Sequence, residues 1–72
     1  MSAGSVVGAV GVVTVPIPEH GPGEVVVSVR GGSEAFAAWS DQPIAKHTQV
    51  LVIEQTAPRS VAVTPFVTGF TA

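Results

Sequence analysis

Two histidines, six serines, five carboxylates and three fixed cations are the side chains of this sequence that could do chemistry. His20 and His47 would serve as metal ligands or acid–base groups. A catalytic metal site usually draws three protein ligands, and neither histidine has a neighbouring ligand at a motif spacing. Glu19 is adjacent to His20, but consecutive side chains of an extended backbone point to opposite sides. Both imidazoles read as solvated loop residues. No serine sits in a Gly-x-Ser-x-Gly elbow. A Ser40–Lys46 pair could form through a loop, yet nothing supplies an oxyanion hole, and so small a domain has little volume for a cleft. Glu19, Glu24, Glu34, Asp41 and Glu54 are spread out, with no close pair for acid–base work. The spacing of Gly4, Gly8 and Gly11 matches no nucleotide fingerprint, and no helix follows to offer its N-terminus. The expectation is a non-enzyme with no catalytic residue, no cofactor and no metal ligand.

The elements that would have to position any site are short and valine-rich. Hydrophobic residues make up 46% of the 72-residue chain, and valine, stiff at χ1, suits a pleated surface. With no cysteine, neither a disulfide nor a thiolate metal site can brace a domain of marginal size. Three scattered cations, Arg30, Lys46 and Arg59, at a net charge of −2 make a poor footprint for phosphate binding. No segment approaches the roughly 18 apolar residues of a membrane span, and residues 1–5 lack the positive region of a signal peptide. High hydrophobicity with few charges suits a piece of a larger or membrane-tethered protein.

Five strands are predicted, at 6–15, 24–30, 33–40, 49–55 and 60–65. Gly8 and Gly11 lie inside the first, where glycine permits a bulge or sharp bend. Residues 16–23 hold three prolines and two glycines, which excludes regular pairing. Residues 41–48 are a connection with room for one helical turn, interrupted by Pro43. The unbroken apolar run of the fourth strand predicts burial on both faces or a sharp twist. Strands without intervening helices describe an all-β fold, a small five-stranded Greek-key barrel of the OB type, with an SH3-like barrel as the main competitor. The domain is expected over 6–66. Residues 1–5 are expected to be a disordered N-terminal segment or cloning remnant, and 67–72 a flexible tail.

The strongest local signal is the hairpin over 24–40. With Gly31 and Gly32 as a two-residue turn, Val29 faces Glu34, Val27 faces Phe36, and Val25 faces Ala38. That is the predicted core face, with Phe36 its largest member. The other face carries Val26, Ala37 and Trp39, with Trp39 opposite Glu24. These three are the candidate protein-interaction residues, Trp39 as the aromatic anchor. The competing reading has a tail or loop cover Trp39, through Phe66 or Phe70. A second functional reading is single-stranded nucleic-acid binding by an OB-type barrel. That mode needs stacking aromatics over a cationic groove, whereas Trp39 and Phe36 project to opposite faces here and the groove is nearly uncharged, so no nucleic acid is expected.

The order of segments carries a resemblance. The chain reads GAVGVVTV at 8–15, a proline–glycine loop, GEVVV at 23–27, FAAWS at 36–40, PI at 43–44 with TQVLVI at 48–53, and VAVTP at 61–65. Over residues 8–65 this resembles the C-terminal soluble domain of the NfeD-like family. The resemblance implies an OB-type barrel in a membrane-associated parent whose transmembrane segments lie outside this chain, with the soluble domain on the cytoplasmic side. It implies an assembly role beside flotillin- or stomatin-like membrane scaffolds, or self-association. The serine protease domain of some long members has no counterpart in this chain, and no catalytic residue carries over. Where the family usually has glycine before the fourth strand this chain has His47, a position expected to need a positive φ. Trp39 stands where the family is often polar.

Overall fold

The computed structural model describes residues 6–66, which form five strands and no helix. They are β1 (Val10–Val15), β2 (Gly23–Val29), β3 (Gly32–Trp39), β4 (Gln49–Ala57) and β5 (Ser60–Pro65). The sheet closes on itself in the order β1-β2-β3-β5-β4. All pairings are antiparallel except β3 with β5, which is parallel and runs only from Ala37–Ser60 to Trp39–Ala62. This is the five-stranded barrel that the segment order implies. The expected segments 1–5 and 67–72 lie outside the described residues.

Closure requires β1 to pair on both of its edges, which Gly11 does opposite Val27 and Val50, and Val12 opposite Val26 and Gln49. A Cβ on Gly11 would stand 2.8 Å from the Val26 carbonyl oxygen and 3.0 Å from Val27 Cγ2, so the close approach of β1 to β2 admits only hydrogen there. The predicted start of this strand at Val6 is too early. Gly8 takes φ +93° and turns the chain, after which Gly8 N–H donates to Val52 and Val52 N–H to Ala9.

The hairpin register differs from expectation by two residues. Val29 closes against Gly32, and the turn is Arg30–Gly31, with Gly31 alone at positive φ (79°). A single left-handed residue in the second central place suits Gly31 and leaves Gly32 free to begin β3. Val25 therefore pairs with Phe36 and Val27 with Glu34. A shift of two preserves side-chain parity. The predicted core face survives, and Val25, Val27, Phe36 and Ala38 are all buried.

Residues 41–48 hold no helical turn. Ile44 instead makes an antiparallel bridge with Ile17, its amide and carbonyl both bonded to that residue at 2.9 Å, and both side chains enter the core. Burial of β4 on both faces does not occur either. Val50 and Val52 are buried, Leu51 is half-buried and Ile53 is exposed. The sharper twist is supplied by register shifts between Val52 and Glu54 and between Gln55 and Ala57. The first makes Ile53 an extra residue and brings Glu54 opposite Ala62, on the outside. In a regular strand Glu54 would follow Val50 and Val52 into the barrel. The interior is consequently apolar, a cluster of valines with Ile17, Ile44, Phe36 and Ala38, and no polar residue is buried among the described residues.

Candidate interaction face

The three residues proposed from sequence fall on the outer surface of β2 and β3. Val26 and Ala37 are half-buried, and Trp39 is 40% exposed. They do not form one continuous patch. Val26 pairs with Ala35 and with Val12, itself exposed, which gives a small apolar area at one end of β3. Trp39 lies four residues further along, roughly 13 Å at the rise of a strand, where β3 has left β2 and pairs with β5. Between them Ala37 faces Glu24, not Val26. Glu24 is half-buried and its carboxylate accepts the Thr14 hydroxyl at 2.7 Å, across the register shift in β1. Trp39 is not opposite Glu24 as the predicted register had it. Its neighbour is Ala62.

The surroundings of Trp39 form an open groove of about 380 Å³ lined by Ser40, Asp41, Ile53, Ala62, Val63 and Thr64. The outward residues of β5 beside Trp39 are small, Ala62 and Thr64, and Ile53, the extra residue at the bulge in β4, is 52% exposed. The apolar surface is concave, with one carboxylate, Asp41, at its margin. Ile53, Ala62 and Thr64 were not singled out in the sequence. The signal for Ile53, an isoleucine in an unbroken apolar run, pointed to burial, and only the bulge explains its exposure.

The side chains considered for chemistry remain apart. His20 and His47 are exposed loop residues, and among the described residues no three His, Asp or Glu groups gather as a metal site would require. Ser40 Oγ accepts the Gln42 amide at 3.2 Å, a local turn contact, and no hydrogen bond joins it to Lys46. His47 has φ +75°, the only described non-glycine residue in the left-handed region. Its amide donates to the Val13 carbonyl at 2.8 Å, which ties the connection to β1. The positive φ expected at this position is therefore present and is carried by an imidazole residue.

A family model, the NfeD C-terminal domain, matches residues 10–64, from the first residue of β1 into the end of β5. The chain belongs to the NfeD C-terminal domain family. The solution structure of the soluble domain of the NfeD protein YuaF from Bacillus subtilis is similar to it. The TM-score is 0.70 and the identity 37%, over 81% of this chain and 70% of that one. No curated protein matches the chain. As an NfeD C-terminal domain it has no described helix long and apolar enough to cross a membrane, and its barrel strands alternate buried and outward residues around a closed apolar interior.

Proposed function

We propose that this NfeD-type barrel is a non-catalytic interaction module of a membrane-associated protein, placed on the cytoplasmic side and contributing to assembly with flotillin- or stomatin-like scaffolds. The observation that carries the reading is the exposed Trp39 over an apolar groove, in a barrel whose described histidines, serines and carboxylates assemble no reaction site. Aromatic anchors ringed by contacts that exclude water dominate binding energy in many protein interfaces. Val26 and Ala37, on the same outer surface but apart from the Trp39 groove, are a second and smaller contact area in this proposal.

The test is binding of the domain to a purified flotillin-like scaffold in detergent or vesicles, with Trp39→Ala beside the wild type. A hot-spot loss of about 2 kcal/mol is a weakening of roughly 30-fold. Equal affinity of the two proteins would remove Trp39 from the interface, and no binding by either would remove the scaffold. Sedimentation of the isolated domain reads out self-association as the other partner. Single-stranded oligonucleotides are expected to give no salt-sensitive binding, because few cations are available to release counterions.

A further inference from the structure

One edge of β3 is left open. The strand pairs with β2 along its whole length from Gly32 to Ala38, but with β5 only from Ala37 to Trp39. In an antiparallel ladder the backbone groups of successive residues point alternately toward and away from the partner strand. Val29 and Gly32 flank the two-residue turn as a bonded pair, so residues 32, 34, 36 and 38 point their amides and carbonyls at β2. The odd residues point the other way, as Ala37 shows by donating to the Arg59 carbonyl at 2.9 Å. Ser33 and Ala35 point in that same direction, past the start of β5, where no described strand lies beside them. Both residues are exposed, with Gly32 and Glu34. Two amides and two carbonyls thus form an unused template for another strand.

The charge beside this template selects what can fill it. Glu34 lies between Ser33 and Ala35, is exposed, and no ion pair engages it among the described residues. A second copy pairing in antiparallel fashion through all four groups would set Ser33 against Ala35 and Glu34 against Glu34. Like charges directly opposite are destabilising, so the edge discourages its own duplicate. The other free edge, on β5 beyond Ala62, is blunted differently. Phe66 N–H bonds Gln49, so Pro65 faces away from β4 and offers no donor there.

We propose that the β3 edge at Ser33–Ala35 receives an extended segment of a partner protein by strand addition, with a lysine or arginine of that segment opposite Glu34. Backbone hydrogen bonds supply the affinity and the cation supplies the selectivity. This rests on the interaction role proposed above but uses backbone groups distinct from the Trp39 groove.

The experiment is a titration of the ¹⁵N-labelled chain with a seven-residue peptide alternating valine and lysine, and with its valine–glutamate counterpart. The lysine peptide is expected to shift the Ser33 and Ala35 amides and to bind about fivefold more tightly than the glutamate peptide, the ratio expected for a cross-strand charge pair of opposite against like sign. Glu34→Lys is expected to reverse the preference. Ala35→Pro removes only an outward-facing amide, so the barrel keeps its spectrum and thermal transition while the peptide response is lost. Equal binding of both peptides, or shifts that bypass Ser33 and Ala35, would overturn the proposal. If those shifts fall around Trp39 and Ile53 instead, the edge is excluded while the groove keeps its role. Loss of scaffold binding in Trp39→Ala with an intact peptide response at Ser33 and Ala35 separates the two surfaces in the other direction.

Discussion

The Thr14 hydroxyl donates to the Glu24 carboxylate at 2.7 Å, and this contact divides the outer surface of the barrel in two. It sits at the register shift in β1, where Thr14 is the extra residue between Val13, opposite Val25, and Val15, opposite Glu24. On one side lie Val12, Val26 and Ala35. On the other, β3 leaves β2 for β5 and Trp39 comes out beside Ala62. Binding surfaces at the two ends are therefore separable by mutation, which the following expectations use.

Trp39 is the only tryptophan and the chain has no tyrosine, so its fluorescence reports one place. At 40% exposure it is expected to emit at a red-shifted wavelength and to be quenched readily by acrylamide. Trp39→Ala is expected to change stability by less than about 1 kcal/mol in a urea titration, since the barrel interior does not include it. A blue-shifted, protected signal would place the indole under cover and close the groove.

Phe36 is the largest side chain of the hairpin's inner face and is 4% exposed. Phe36→Ala is expected to destabilise by about 3–5 kcal/mol, enough to unfold much of a domain of this size. Urea denaturation followed by circular dichroism measures it. A loss below about 1 kcal/mol would mean that Phe36 does not fill the interior.

How much of this was legible in the residues divides along local and non-local lines. The hairpin faces were readable because the Gly31–Gly32 pair locates the turn to within two residues, and parity survives an error of two in register. The turn itself was misplaced because two adjacent glycines offer two placements, and only the pairing of Val29 with Gly32 selects one. The Ile17–Ile44 bridge was hidden because its halves are single isoleucines among prolines, 27 positions apart in the chain. The groove at Trp39 was half visible. The aromatic stood out, but its neighbours are assembled by the parallel β3–β5 pairing and by a bulge at Ile53, neither of which leaves a mark in hydrophobic periodicity.

His47 adopts φ +75° while exposed and without a side-chain hydrogen bond. Left-handed backbone costs an ordinary residue roughly 1–2 kcal/mol, partly offset by the extra chain freedom of glycine when unfolded. His47→Gly is therefore expected to raise stability by about 0.5–1 kcal/mol and His47→Val to lower it. Thermal melts of the two variants are the check, and an unchanged or lower melting temperature for His47→Gly would show that the left-handed conformation carries no strain.

Gly23 opens β2 against the backbone that leaves β1. A Cβ there would stand 2.6 Å from the Pro16 carbonyl oxygen and 2.7 Å from Ile17 Cγ1. Neither neighbour can retreat easily, because Ile17 is anchored to Ile44 by two backbone bonds. Gly23→Ala is expected to destabilise by about 1–3 kcal/mol through overpacking, while Gly32→Ala, with open space around it, should change little. The ratio of the two melting shifts is the measurement.

The way the barrel closes has a temporal meaning. The pairs β1–β2, β2–β3 and β4–β5 join neighbours in sequence, whereas Val10 meets Leu51 and Ala37 meets Ser60 only after long stretches of chain have been brought together. Loop closure over such distances must precede any reward from the contacts it makes. The three local pairs are therefore expected to assemble early and the two seams to seal late, so that mutations at the β1–β4 and Ala37–Ser60 junctions act mainly on the rate of opening. A rate-determining step confined to the seams would leave the Trp39 groove, which spans one of them, as the last part of the surface to take shape and the first to be lost.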